Sequence, residues 1–196
     1  MINKMDNKNK ILFVLLKDIS RRYNANNISK VIGISSMGAL KILRDLEKKE
    51  IVSSEKFGKA SLYKLNLNND YALDYLEFIL KTEIEKSSSY IKRWINELKK
   101  ITQAEVIILF GSILSKEEMA KDIDVLFLIE PDNFKKLRIE IEKLNQLNDK
   151  KIHPIYQTKE DFKKNLTKKD KIILDATKGI YVKGQKEFLN ILKELK

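Results

Sequence analysis

The chain has 196 residues, which is enough for one large or two small hydrophobic cores, and 43% of them are hydrophobic. It contains no cysteine, which excludes disulfides and cysteine-ligated zinc. No apolar run is long enough to span a bilayer, and the polar start MINKMDNKNK lacks a signal peptide's apolar stretch. We therefore expect a cytoplasmic protein without a membrane partner.

The positive charge of the chain is concentrated in its first third. The net charge is +11, and residues 1–66 hold 14 Lys and Arg against 6 Asp and Glu, which is +8. The remaining 130 residues carry only +3. This distribution predicts that the N-terminal part meets a polyanionic partner.

The first third of the chain reads as three helices. Residues 10–23 have leucine and isoleucine at helical spacing, and Arg21 and Arg22 close the last turn. Residues 24–27 form a polar break before a short helix over 28–32, which ends at Gly33 in a left-handed cap. Ser35 or Ser36 caps the third helix, which extends to about Lys49.

A β-hairpin follows these helices, with strands over 51–56 and 60–65 and a Gly-containing turn over 57–59. A helix, a Gly-Ile-Ser turn and a second helix form a unit that can place the second helix in the major groove of DNA. The hairpin tip would then reach flanking phosphates or the minor groove. The expected DNA-binding residues lie on the second helix and the tip: Ser35, Ser36, Met37, Lys41, Arg44, Lys56 and Lys59.

These residues carry a family resemblance. ISKVIGISSMGALKILRDLEKKEIV followed by SSEKFGKASLYKLN resembles the winged helix-turn-helix regulators of bacteria and archaea. The resemblance implies double-stranded DNA as the partner and transcription regulation as the function. A winged helix that serves only protein contacts is the alternative, and the basic charge of this region argues against it.

The rest of the chain changes character. After a turn over 66–70, helices are predicted over 71–86 and 90–101, with a break at 87–89. Strands over 106–110, 123–129, 152–156 and 180–183, of which the first two read as buried, then alternate with helices over 133–147, 161–176 and 185–195. We therefore predict an α+β protein with a winged helix-turn-helix over 1–68, a linker helix over 69–87 and a small mixed α/β domain over 88–196.

The second part contains Phe110-Gly111-Ser112, nine residues, and then Asp122-Ile123-Asp124. Two carboxylates two residues apart on a strand project from one face and can share a metal ion. Gly111 lets the backbone approach a phosphate, Ser112 supplies a hydroxyl and an N–H, and Lys116 offers a point charge one turn later. The pattern is suited to holding a nucleoside triphosphate and Mg²⁺.

This pattern resembles the nucleotidyltransferase superfamily that includes DNA polymerase β, in its minimal branch. The resemblance implies that Gly111 and Ser112 hold the nucleotide and that Asp122 and Asp124 are catalytic and hold Mg²⁺. The superfamily usually has a third carboxylate on a later strand, where this chain has His153, its single histidine. A neutral base is one interpretation of His153, and an edge-strand histidine without chemistry is the other.

Other departures from the superfamily lie beside the motif. Lys121 precedes the first aspartate, where a small residue or Ser is usual, and the turn after Gly-Ser reads Ser115-Lys116-Glu117 in place of Arg or Lys followed by Gly. An active transferase and a nucleotide-binding domain without turnover therefore both remain open.

Three functional interpretations follow. In the leading one, a DNA-binding regulator carries a domain that binds Mg²⁺ and a nucleotide. In the second, an active nucleotidyltransferase, for example an antitoxin that nucleotidylates a protein partner, recognises its acceptor through the winged helix. The third is a non-catalytic scaffold. The aromatic residues Tyr71, Tyr75 and Phe78, with Ile79, are compatible with a homodimer seam or with packing inside one chain.

Overall fold

The computed structural model describes residues 6–19 and 21–195. The chain divides into two compact units, Met1–Ile79 and Leu80–Lys196. Within the described residues, no helix is both long enough and apolar enough to cross a membrane. Its elements are α1 (Asn7–Lys17), α2 (Ala25–Ile32), α3 (Ser36–Lys48), β1 (Val52–Phe57), β2 (Ala60–Leu65), α4 (Asp70–Lys86), α5 (Ser89–Leu98), β3 (Val106–Phe110), α6 (Ile113–Lys116), β4 (Ile123–Leu128), α7 (Phe134–Leu147), β5 (Ile152–Gln157), α8 (Lys159–Thr167), α9 (Lys171–Ala176), β6 (Ile180–Lys183) and α10 (Gln185–Glu194).

The first unit has α1, α2 and α3 followed by the antiparallel hairpin β1–β2, as predicted. Its core consists of apolar residues that are at most 1% exposed, among them Ile11, Leu12, Leu16, Ile28, Leu43, Leu46 and Ile51. The left-handed cap at Gly33 is confirmed, with φ 75° and ψ 43°. Its N–H donates to the carbonyl of Ser29, which closes α2.

Two boundary predictions in this unit were wrong. The first helix ends at Lys17, so Arg21 and Arg22 lie beyond it, and Ser20 lies outside the described residues. The chain leaves the helix because Tyr23 forms a β-bridge with Tyr63 on β2. Residues 24–27 also do not form the predicted polar break. The Asn24 side chain accepts from the N–H of Asn27, and α2 starts at Ala25.

The second unit is built on a four-stranded sheet in the order β5-β4-β3-β6. β4 is parallel to β5 and antiparallel to β3, which is in turn antiparallel to β6. All five residues of β3 are buried, as expected for a strand flanked by neighbours on both sides. The parallel pair is connected through α7, and β5 lies at the sheet edge.

Helix α5 packs on this sheet, as its spacing predicts. Ile91, Trp94, Ile95 and Leu98 are at most 2% exposed and share one core cluster with residues of β3 and β4. One predicted helix was wrong here, because 161–176 is split into α8 and α9. The split occurs where Lys169 takes a positive φ of 56° and the Asp170 side chain caps α9.

Candidate functional site

The turn between α2 and α3 is fixed by side-chain hydrogen bonds. The Ser35 hydroxyl accepts from the backbone N–H of Gly38, 3.0 Å away, and starts α3. The Ser36 hydroxyl donates to Asn26 Oδ1 at 3.0 Å and lies 3.2 Å from the hydroxyl of Ser29. Ser35 therefore caps α3, and Ser36 holds the first turn of α3 against α2.

The exposed face of α3 carries the other expected contacts. Met37 is 73% exposed, and Lys41 and Arg44 are exposed further along the helix. Ala39 and Leu43 point into the core. Met37, Lys41 and Arg44 lie at spacings of four and three residues, which puts them on one helical face that is open to a partner.

The hairpin presents the basic tip that the sequence predicts, but its turn is one residue shorter than the predicted 57–59, because Phe57 still pairs in β1. Phe57 pairs with Ala60, and Gly58 and Lys59 form the two-residue connection, with a positive φ of 58° at Gly58. Lys56 and Lys59 are both exposed. These two lysines, with Ser35, Ser36, Met37, Lys41 and Arg44, are named the α3–wing surface below.

Two residues next to the α3–wing surface were not predicted from the sequence. Phe57 is 72% exposed at the hairpin tip between Lys56 and Gly58. An aromatic residue directly before the turn glycine, at the last paired position of β1, is a signal that its side chain lies exposed at the tip.

Glu47 is the second residue that was missed. Its carboxylate accepts from the N–H and the hydroxyl of Ser54, at 3.1 and 2.6 Å. This pair of bonds fixes the hairpin base to α3.

Tyr23 anchors the hairpin from the other side. The N–H of Tyr63 donates to the carbonyl of Tyr23 at 2.7 Å, and the Tyr23 hydroxyl donates to Asp18 Oδ2 at 2.6 Å. Burial, followed by the hydrogen bond and charge of Asp18, raises the pKa of Tyr23 to about 12. The residues of the α3–wing surface are thus attached to a well-connected scaffold.

The aromatic residues of α4 are not equivalent. Ile79 is buried, whereas Tyr71 and Phe78 are 58% and 59% exposed. Tyr75 is half-buried, and its hydroxyl donates to Asn9 Oδ1 at 3.0 Å. Ile79 therefore packs inside the chain, while Tyr71 and Phe78 remain on the surface.

In the second unit, two neighbouring strands bring three ligand-type side chains together. Asp122 directly precedes β4, Asp124 lies on β4, and His153 on β5 is paired with Asp124 in parallel register. One ligand atom from each of the three lies within 4.8 Å of the others. These residues are named the acid–histidine cluster below. Ile123 and Val125 point into the core on the other face, as predicted.

Asp124 is the fixed member of this cluster. Its side chain is 23% exposed, and its Oδ1 lies 3.0 Å from His153 Nδ1. A Cβ added at Gly111 would lie 2.1 Å from Asp124 Oδ2 and 2.9 Å from its Cγ. Gly111, with φ 78°, therefore lets the carboxylate lie against the turn after β3.

The nucleotide-binding candidates lie along that turn. Gly111 and Ser112 follow β3, and Lys116 is exposed at the last residue of α6. α6 has only four residues, so its dipole contributes little to anion binding. Glu117 then takes φ 46° and ψ −115°, a conformation that favours glycine, at the place where the superfamily pattern departs in this chain.

The residues present fit Mg²⁺ only in part. Asp122 and Asp124 offer the carboxylate oxygens that Mg²⁺ takes, together with water and substrate phosphates. His153 offers an imidazole nitrogen at the third position, which suits borderline transition metals instead. Glu160 and Asp161, the nearest acids after β5, are not part of the cluster and lie in the first turn of α8.

Comparisons with known proteins add little to this geometry. No protein-family model matches the chain, and no curated protein matches it. The solved structures that resemble it include wild-type ZitR of Lactococcus lactis in complex with DNA, at 18% identity and a TM-score of 0.34, over 48% of this chain and 65% of that one. The adhesin competence repressor AdcR of Streptococcus pyogenes is 14% identical, with a TM-score of 0.27, over 50% of this chain and 77% of that one.

These likenesses are too low to establish a shared function. This chain spans less than two thirds of the length of the ZitR chain in the DNA complex. A cysteine-to-serine mutant of ZitR gives 13% identity and a TM-score of 0.27, over 50% of this chain and 72% of that one. The interpretation of each unit therefore depends on its own residues.

Proposed function

We propose that the chain is a DNA-binding regulator whose first unit places α3 in the major groove of double-stranded DNA. The observation that carries this is the α3–wing surface itself, in which all seven residues are exposed on a helix-turn-helix followed by a hairpin. Ser35 and Ser36 fix the start of α3, so Met37 and Lys41 project from a helix whose direction is set. DNA as the partner implies a cytoplasmic site of action.

The charge of the surface supports the same partner. Lys41 and Arg44 lie on the exposed face of α3, and Lys56 and Lys59 flank the hairpin tip. Cations on the helix and on the wing can neutralise phosphates on both sides of a groove, which fixes register and supplies most of the affinity. Met37 offers an apolar contact for a thymine methyl group.

A binding experiment with charge-matched variants tests this function. Binding of the full chain to a fluorescently labelled DNA duplex is measured by anisotropy for Lys41→Ala and Lys59→Ala. At about 0.15 M salt, each lost phosphate contact is expected to weaken binding about fivefold. Lys164→Ala and Lys168→Ala remove the same charge from exposed positions of the second unit and serve as controls.

The comparison between the two pairs of variants decides the outcome. Weaker binding in Lys41→Ala and Lys59→Ala alone supports the α3–wing surface as the DNA interface. Equal weakening in all four variants would show attraction by net charge only. The absence of binding by the full chain to any duplex would overturn the proposal.

A second function is favoured by the acid–histidine cluster. Asp124 lies against Gly111, so the two halves of the nucleotidyltransferase-type motif meet in space. We infer that Gly111, Ser112 and Lys116 hold the phosphates of a nucleoside triphosphate, and that Asp122 and Asp124 hold its Mg²⁺. A bound divalent cation supplies charge neutralisation and polarises the phosphoryl group.

Incubation with Mg²⁺ and α-labelled nucleoside triphosphates tests the second function, with Asp122→Asn and Asp124→Asn as variants. Label transfer to the chain, an RNA or a protein partner that depends on both acids identifies an active transferase, including one of antitoxin type. Nucleotide binding without transfer identifies a binding domain. If the chain neither binds nor transfers a nucleotide, the second unit is a scaffold and this function is wrong.

A further inference from the structure

We propose that the acid–histidine cluster is a three-ligand site for a borderline divalent cation of the Zn²⁺ class, with His153 as its third ligand. The proposal deepens the second function above, since it concerns the same site. It changes the metal, because a Mg²⁺ site is expected to offer oxygen ligands only. His153 then acts as the residue that determines which cation the site accepts.

The distances agree with metal ligation. Cations of this class hold imidazole nitrogen and carboxylate oxygen at about 2.0 to 2.2 Å, so two adjacent ligands lie roughly 3 Å apart. His153 Nδ1 and Asp124 Oδ1 lie 3.0 Å apart. The ligand atoms of all three side chains lie within 4.8 Å of one another, so a small side-chain rotation is enough to bring them onto one ion.

The backbone brings these ligands together. Asp124 and His153 are register partners on parallel strands, so their side chains leave the same face of the sheet. Pro154 lacks an N–H and is tolerated because β5 is an edge strand. It also confines His153 to extended backbone. Gly111 leaves room for the second carboxylate oxygen of Asp124, because a Cβ at this position would lie 2.1 Å from that oxygen.

The open side of the site suits an exchangeable ion. The side chain of His153 is 67% exposed, and Asp122 is exposed as well. Three protein ligands leave coordination positions for water or phosphate oxygens, as in catalytic rather than structural zinc sites. Lys150 donates to the carbonyls of Glu118 and Ala120, which holds the segment that leads into Asp122.

The composition of the chain makes this proposal directly measurable. His153 is the only histidine, and the sequence has no cysteine, so an imidazole–metal bond has a single source. The full chain labelled with ¹⁵N-histidine gives one pair of imidazole nitrogen resonances. Stoichiometric Zn²⁺ is expected to shift the coordinating nitrogen, whereas an excess of Mg²⁺ alone is expected to leave both resonances in place.

Variants then separate ligation from a simple hydrogen bond. Loss of a residue that merely orients a metal ligand costs roughly 10- to 100-fold in affinity, so loss of the ligand itself should cost at least about tenfold. We expect His153→Asp to lose Zn²⁺ affinity by that factor and to gain affinity for Mg²⁺, measured by calorimetry. Asp122→Asn should lose affinity for both ions. Asp132→Asn, an exposed acid of the same unit, is the control and should change neither.

The outcomes distinguish this proposal from the function on which it builds. Imidazole resonances that Zn²⁺ leaves unchanged would show that His153 only hydrogen-bonds Asp124, and would overturn the proposal. A ratio of Zn²⁺ to Mg²⁺ affinity that His153→Asp does not alter would overturn it too. If no nucleotide binds in either metal while Zn²⁺ still shifts His153, the nucleotidyltransferase function fails and the metal site stands.

Discussion

The α3–wing surface and the acid–histidine cluster are two sets of side chains that the same chain positions in different ways. The cationic side chains of the α3–wing surface extend into solvent from a rigid scaffold, and none of the seven residues is buried. In the cluster, Asp124 lies 3.0 Å from His153, and its carboxylate occupies the space that a Cβ at Gly111 would fill. One set offers charge and shape to a large partner, and the other offers fixed distances to a small ion.

This difference predicts how each region responds to substitution. A surface that binds phosphates loses affinity in increments, since each lysine or arginine contributes a similar electrostatic share. A site that depends on three ligand atoms at fixed separations fails when one element moves.

The largest loss of binding is expected at Gly111. In Gly111→Ala the new methyl group would collide with Asp124 and the residue would keep an unfavourable positive φ, so the carboxylate has to move. We expect a loss of about 2 kcal/mol in stability and the disappearance of the Zn²⁺-induced shift of His153. Calorimetric unfolding and the ¹⁵N-histidine spectrum measure the two effects.

Gly33→Ala is the matched control for that variant. Gly33 also has a positive φ, of 75°, but no atom lies within 4 Å of an added Cβ. The substitution Gly33→Ala should therefore lower stability only by the backbone strain, about 1 kcal/mol, and leave the Zn²⁺-induced shift of His153 unchanged. Equal costs in the two variants would show that the contact between Gly111 and Asp124 has no role.

The anchor of the hairpin is predicted to respond to alkaline pH. Burial and Asp18 raise the pKa of Tyr23 to about 12, whereas an unfolded tyrosine ionises near pH 10. The resulting stability is present below about pH 10 and is lost as the pH rises through about 12, by at most about 2.7 kcal/mol. Tyr23→Phe should flatten this part of the stability curve, measured by urea unfolding, while Tyr71→Phe at an exposed position should not.

At the hairpin tip, Phe57 is expected to contribute affinity without charge. An exposed aromatic side chain next to Lys56 at the tip can enter the minor groove and wedge against a base step. We expect Phe57→Ala to weaken duplex binding by about tenfold, with an unchanged salt dependence. Phe78→Ala, which removes another exposed aromatic ring of the same unit, should bind like wild type. Equal affinities for both variants would exclude the wedge.

The smallest effect concerns Glu117. Its backbone, at φ 46° and ψ −115°, is in a region that glycine occupies without strain. Glu117→Gly is therefore expected to raise stability by about 1 kcal/mol in urea unfolding followed through Trp94, the single tryptophan, which is buried in the same unit. Glu118→Gly lacks that strain relief and should destabilise or be neutral. A loss of stability in Glu117→Gly would contradict the strain.

Elements with strong local signals were predictable from the sequence. Glycine and serine at the ends of α2 and α3, the alternating hairpin and the apolar runs of β3 and β4 each act within a few residues. The end of α1 was not predictable, because it depends on a β-bridge between Tyr23 and Tyr63, which are 40 residues apart in the sequence. Long-range pairing of this kind leaves no periodic trace in the sequence.

The candidate site was likewise predictable only where the signal is local in the sequence. The spacing of Asp122 and Asp124 predicted two carboxylates on one face, and the position of His153 on the next strand was also predictable. Its 3.0 Å approach to Asp124 depends on strand register, which only the folded sheet defines. The exposure of Phe57 likewise follows from the position at which β1 stops pairing. The charge pattern does not point to Phe57, because its side chain is uncharged.

The measurement closest to the central claim is the salt dependence of duplex binding by the full chain. Replacing Lys41, Arg44 and Lys59 together by alanine should reduce the slope of log K against log salt concentration by about 2.7, since each phosphate contact contributes about 0.9. The matched triple variant of Lys164, Lys168 and Lys171 should keep the wild-type slope, because these exposed lysines lie on the second unit. An unchanged slope in the first variant, or an equal reduction in both, would contradict DNA recognition through the α3–wing surface.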